Sequence, residues 1–298
     1  MACALLFVNR RSILVDPPLA AHSAQAPASE YVGTETCVSC HAPQGEALSR
    51  TEHGRTANPR TPLAALGCET CHGPGKAHVE GGGDASKIRM PTKMAPRDVS
   101  EICTTCHNRG DQALWQGSMH DSRNASCITC HSIHSPKSDQ GQLKKTTEIE
   151  TCAQCHRPQV LKLQRSAHMP VREGKLVCTS CHNPHGSANQ RLLKVGNYVN
   201  ESCVGCHTEK RGPYLFEHPP GRESCVTCHD PHGSSNDRLL VAKVPMLCQR
   251  CHIGTQHPST IYDNNAVNTS VRLFGRGCVQ CHENIHGSNS PSGNAFHR

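Results

Sequence analysis

Ten times along 298 residues, a cysteine is followed three places later by a second cysteine and then at once by a histidine. The motifs begin at Cys37, Cys68, Cys103, Cys127, Cys152, Cys178, Cys203, Cys225, Cys248 and Cys278. Their second cysteines are Cys40, Cys71, Cys106, Cys130, Cys155, Cys181, Cys206, Cys228, Cys251 and Cys281. Together they take up 20 of the 21 cysteines, leaving only Cys3. C-x-x-C-H is the signal for covalent attachment of a c-type haem. The two thiols add across the vinyl groups of the porphyrin, and the next residue stands under the iron as its proximal ligand. Other uses of paired cysteines fail on the recurring histidine. A disulfide framework explains an even number of cysteines but not a histidine after every pair. Zinc does not require histidine at one offset ten times over. A thioredoxin-like pair occurs once, inside a βαβ pattern. The motifs therefore imply ten covalently attached haems c.

That number resolves a difficulty in the composition. Aromatic residues make up only 3% of the chain, against 24 Gly and 20 Pro, and mean hydropathy is −0.54. A packed core normally draws on large apolar side chains, so without a cofactor this chain reads as loop-rich and poorly folding. Porphyrin plates supply the missing apolar interior. The expected fold is that of a multihaem c-type cytochrome: extended, mostly coil, with short α-helices around a chain of haems and almost no β-sheet. Helices are expected over several of the motifs and over segments upstream of them, such as 148–156. The long gap 73–102, with Gly81-Gly82-Gly83, reads as a flexible connection rather than a phosphate loop, since no strand precedes it.

The formal charge of +7 belongs to the polypeptide alone. Ten haems add two propionates each and one positive ring charge when ferric, giving about −3 oxidised and about −13 reduced. The lysines and arginines are dispersed, and few aromatics are present to stack bases, so no nucleic-acid partner is expected.

The ten motifs account for His41, His72, His107, His131, His156, His182, His207, His229, His252 and His282 as proximal ligands. Of the remaining twelve histidines, His22 lies near the N-terminus and His297 is the penultimate residue. The other ten are His53, His78, His120, His134, His168, His185, His218, His232, His257 and His286, and one of them follows each motif before the next begins. Ten irons and ten spare histidines point to bis-histidine coordination throughout. Methionine, the rival sixth ligand, occurs only six times, too rarely to serve the series.

Offsets from each proximal histidine to its follower run 12, 6, 13, 3, 12, 3, 11, 3, 5 and 4. This long-then-short rhythm divides 31–298 into five two-haem repeats, about 37–78, 103–134, 152–185, 203–232 and 248–286, in an array whose units lean on one another. A three-residue tether spans at most ~11 Å. It would have to leave one porphyrin face, clear the edge and return to the other. His134, His185 and His232, and His286 with them, are therefore expected to serve neighbouring haems. The Pro before and the Gly after His185 and His232 suit a fixed turn. Residues 1–30 read as a degenerate or truncated export segment or tail, because Asn9-Arg10-Arg11 and Asp16 interrupt its apolar run.

An iron with two protein imidazoles has no open site for substrate, so the expected activity is electron transfer, with no catalytic residues. "LGCETCHGPGKAHVEGGG" (66–83), "KRGPYLFEHPPGRESCVTCHDPHGS" (210–234) and "GRGCVQCHENIHGSNSPSG" (275–293) sharpen this. With the ten motifs, they make residues 31–298 resemble the periplasmic decahaem cytochromes of porin–cytochrome conduits, the Mtr, Dms, Pio and Mto systems. The resemblance implies a haem wire seated in an outer-membrane β-barrel porin. It also implies an outer-surface multihaem cytochrome or terminal reductase on one side and periplasmic or inner-membrane cytochromes on the other, with the ten spare histidines as distal ligands. Such a wire serves metal or DMSO respiration or iron oxidation, located in the bacterial periplasm and outer membrane within the porin sheath and joining the periplasm to the cell exterior. Two other classes fit the motifs: a free periplasmic carrier or extracellular filament subunit, and a multihaem reductase with an open iron.

Overall fold

The computed structural model describes residues 26–252 and 277–297. The expected export segment falls almost wholly outside the described residues, as do His22 and His257. Within them the chain is coil and turn threaded by short helices, the longest being Pro96–Thr104. No strand forms among the described residues, and the β-structure there consists of isolated bridges such as His182 with Leu193 and His229 with Leu240. The expected fold class is the one observed.

Each motif closes one helical turn. In all ten, the histidine N–H donates to the carbonyl of the first cysteine at 2.9–3.1 Å. This turn is a consequence of the spacing itself. Positions i, i+3 and i+4 share one face of a helix, so both thiols and the imidazole emerge on the same side, as attachment to one planar group demands. Upstream residues start several of these turns. Thr147 and Glu150 form a reciprocal capping box on helix Glu148–Ala153, just before His156. The gap 73–102 differs from its expectation as a flexible link. It folds into helix Lys76–Glu80, turns Ala85–Lys87 and Pro91–Lys93, and the start of Pro96–Thr104. Its register is held by the Asp84 carboxylate accepting from the Ser86 N–H and by the Asp84 carbonyl accepting from His78 Nδ1.

Buried apolar side chains are almost absent: among the described residues Leu48, Val99 and Trp115 are the buried hydrophobics, against twelve buried polar ones. Several buried or half-buried polar groups join the two motifs of a repeat. Asn200, ahead of Cys203, accepts from the Cys225 N–H at 2.7 Å and donates to the Gly221 and Arg222 carbonyls. Glu148, ahead of Cys152, accepts from the N–H and hydroxyl of Thr179. Glu69 accepts from the N–H groups of Val32, Gly33 and Gly75. Removing such a residue strands buried backbone groups, at a cost of about 1–3 kcal/mol each before relaxation. Asn200→Ala should therefore lower stability by about 2–3 kcal/mol, seen as an earlier thermal midpoint in Soret circular dichroism. An unchanged midpoint would mean that the haems alone hold Cys203 and Cys225 together.

Candidate haem-ligating array

The motifs lie side by side in sequence order. Within each repeat the first cysteines of the two motifs come within side-chain reach of each other: Cys37 and Cys68, Cys103 and Cys127, Cys152 and Cys178, Cys203 and Cys225, and Cys248 and Cys278. Between repeats the second cysteines come within electrostatic reach: Cys71 of Cys106, Cys130 of Cys155, Cys181 of Cys206 and Cys228 of Cys251. These nine junctions alternate without a gap from the first motif to the tenth.

The second histidines are shared out by one rule. Those after odd-numbered motifs reach forward: His53 faces His107, His120 faces His156, His168 faces His207 and His218 faces His252. Those after even-numbered motifs reach back: His134 faces His72, His185 faces His131, His232 faces His182 and His286 faces His229. His78 closes the N-terminal end against His41. None of His134, His185, His232 and His286 faces the histidine three or four residues before it. In these nine pairs the ring centroids stand 5.9–6.3 Å apart. Two imidazoles bound at ~2 Å to opposite sides of one metal, with each ring centre ~1.2 Å further out, would stand about 6.4 Å apart. The donor set and its spacing thus fit an iron between each pair. The His297 ring lies against the tenth proximal histidine, His282, at 4.6 Å, and the tenth second histidine, His257, lies outside the described residues.

Hydrogen bonds at Nδ1 orient many of these rings. All five even-numbered proximal histidines donate Nδ1–H to a downstream carbonyl: His72 to Arg89, His131 to Gly141, His182 to Arg191, His229 to Arg238 and His282 to Ala295, at 2.5–2.8 Å. This leaves Nε2 as the lone-pair nitrogen, free to ligate. Presenting those carbonyls requires tight turns, and Arg191, Leu192, Arg238 and Leu239 sit at φ of 55–58°, a left-handed conformation that costs a non-glycine residue about 1–2 kcal/mol. The sequence carries a trace of these turns in the parallel "SANQRLL" (187–193) and "SSNDRLL" (234–240), but not their purpose. Burial pushes His53, His131, His185, His218, His232 and His286 below the ordinary histidine value, favouring the neutral, ligating form.

The turn carrying the reach-back histidines is equally specific. In Asn183–Pro184–His185–Gly186 the Gly186 N–H returns to the Asn183 carbonyl at 3.2 Å, and the Asn183 side chain accepts from the His185 N–H. Asp230–Pro231–His232–Gly233 repeats both bonds. Proline second, Asn or Asp first and glycine last is the composition of a type I turn. Gly186 and Gly233 sit at φ of 131° and 137°. Each lies against a neighbouring segment, where an added Cβ would fall 2.0 Å from the Leu114 carbonyl oxygen and 2.2 Å from that of Lys162.

Sequence comparisons bear on the motifs and the family. The doubled CXXCH motif family matches residues 168–212 and 218–257, and the NrfB-like cytochrome c-type protein family matches 68–155. The cytochrome c554 and c-prime family matches 17–73. The chain is 38% identical over 274 residues to the multiheme cytochrome MtrA of Shewanella baltica, covering 89% of this chain and 81% of that protein. It is 28% identical to the C-type polyheme cytochrome OmcB of Geobacter sulfurreducens over 58% of its own length and 28% of that protein's. To the multiheme cytochrome MtrC of S. baltica it is 24% identical over 46% of its length and 26% of the relative's. The chain belongs to the MtrA family of multihaem c-type cytochromes and is an electron-transfer protein.

Proposed function

We propose that this chain is a decahaem wire, bis-histidine ligated throughout, that carries electrons across the outer membrane inside a β-barrel partner. The observation carrying the reading is the unbroken series of motif junctions with nine facing imidazole pairs at 5.9–6.3 Å. Haem c, when bound, supplies a ferric–ferrous couple in each motif. The paired cysteines of each motif would hold the porphyrin through thioethers, the facing histidines would hold its iron, and the polypeptide would fix the order and orientation of the sites. Because each repeat draws ligands from its neighbours, the spacing between sites is set by the ladder and not by any one unit.

The need for a sheath is physical. No helix among the described residues is long and apolar enough to cross a membrane, and a loop-rich backbone left in hydrocarbon would carry unsatisfied polar groups. A barrel satisfies that requirement, in keeping with the resemblance to porin–cytochrome conduits. An outer-surface multihaem cytochrome and a periplasmic cytochrome are the partners this role requires at the two ends.

Near-infrared magnetic circular dichroism with a haem count should find ten low-spin, bis-histidine irons per chain. A high-spin iron that shifts on adding nitrite would replace this reading with that of a multihaem reductase. In liposomes, electrons should reach an enclosed dye only when the barrel is present, and passage without it would overturn the sheath.

A further inference from the structure

The residue after each Nδ1-binding carbonyl occupies one place in four turns, where its own carbonyl accepts an N–H from just beyond the proximal histidine. It is Gln142, Leu192, Leu239 and Phe296, bonded by Ser132, Asn183, Asp230 and Asn284 at 2.7–3.0 Å. At two of these places the side chain meets a forward-reaching histidine, and at Phe296 the ring lies edge-on to His218 at 5.4 Å. Of the four residues only Gln142 is polar. It is buried, and its Oε1 accepts from His53 Nδ1 at 2.9 Å. His120, which reaches forward from the third motif, is held otherwise, by the Pro184 carbonyl. His168 Nδ1 is buried with no partner.

We infer that Gln142 is a positioning residue that tunes the third haem through its distal ligand and links that ligand to the proximal ligand of the fourth haem. The inference rests on the ligand role of His53 proposed above. Gln142 Oε1 holds His53 with its hydrogen on Nδ1 and its Nε2 free. The next carbonyl back along the chain, that of Gly141, binds His131 Nδ1 at 2.5 Å. Two ligands of two adjacent irons therefore hang on consecutive residues of the turn Gln140–Gln142. An acceptor at Nδ1–H increases the electron donation of the imidazole and stabilises the ferric state. The third site is thereby held at lower potential than it would be with the leucine found at 192 and 239. The seventh site, where His168 lacks such an acceptor, marks the opposite extreme.

The test uses the full haem-loaded chain. Gln142→Leu installs the residue that two sister turns already tolerate, and Gln142→Glu installs a stronger acceptor. EPR-monitored potentiometry should show the midpoint of one haem in ten rising with Leu and falling with Glu. That haem should belong to the small class with crossed imidazole planes, where His53 and His107 stand at 61°. If neither variant moves any midpoint while His53→Ala opens one iron to high spin, Gln142 has no tuning role and the ligand assignment stands. If His53→Ala leaves ten low-spin irons, the ligand assignment itself fails and this inference falls with it.

Discussion

His185→Ala should convert one haem in ten from low to high spin, and the affected iron should be the one attached at Cys127 and Cys130, not the nearer one at Cys178 and Cys181. His185 is three residues from His182, yet its ring stacks at 6.0 Å and 16° on His131, more than fifty positions upstream. The ring near His182 comes instead from His232, at 6.2 Å and 10°. The two readings of His185 separate cleanly in a second background. In a Cys127→Ala, Cys130→Ala chain, which carries nine haems, His185→Ala should create no further high-spin iron. If the high-spin signal appears equally in both backgrounds, His185 serves the haem of its own motif and the ladder of exchanged ligands is wrong. Exogenous imidazole should restore the low-spin spectrum in the ten-haem variant by filling the vacated position. The same logic applied to His53→Ala, which acts on the third iron from just after the first motif, would read the forward-reaching series.

Gly186→Ala is the backbone change with the largest expected cost. At φ of 131° an alanine is held in a region essentially reserved for glycine, worth about 1–3 kcal/mol by itself. Its Cβ would in addition fall 2.0 Å from the carbonyl oxygen of Leu114 and 2.9 Å from the Leu114 side chain. Backbone must therefore shift where the motifs at Cys103 and Cys178 approach through Leu114 and Asn183, whose amide donates to the Asp111 carbonyl at 2.9 Å. A loss of at least about 3 kcal/mol is expected, read as a fall in the thermal midpoint together with partial loss of low-spin character at the iron facing His185. Gly82→Ala is the matched control, since Gly82 has φ of 68° but open space around its Cβ direction. It should cost only about 1–2 kcal/mol of left-handed strain and leave the spectrum unchanged. Equal effects at the two glycines would show that close approach at Gly186 contributes nothing.

The difference between these two glycines also marks how far local sequence can be read. "CHNPHG" announces a turn because Asn, Pro and Gly each have a conformational reason to stand there. The bonds from Gly186 to Asn183 and from His185 to the Asn183 side chain are local consequences. The carbonyl of Leu114 against Gly186 is not, because nothing within the six residues says which segment will arrive from seventy positions away. Arg191 and Arg238 show the same limit. Their strained left-handed backbone has no local cause in side-chain chemistry, and is explained by the His182 and His229 Nδ1 atoms that their carbonyls bind. Gln142 carries no mark in the sequence, because a lone glutamine in a polar loop makes no pattern. Its meaning depends on the burial and on the arrival of His53 from 89 residues upstream.

Attachment chemistry and the class of fold are legible in the chain alone. Five-residue spacing is enough to place two thiols and an imidazole on one helical face, as the His N–H to Cys carbonyl bond in all ten motifs displays. A chain with so few large apolar residues has no other interior to build. Counting also shows how many second histidines are available, and a tether of three residues shows which haems His134, His185 and His232 would not serve. Which rings face each other is settled at the tertiary level: forward from odd motifs, backward from even ones, with His78 turned onto His41 at the end. That choice depends on how repeats dock, through the glycine turns at Gly186 and Gly233 and the Asn183 bond to Asp111. Docking energies between segments tens of residues apart leave no periodic trace in the chain, whereas attachment is a matter of one helical turn.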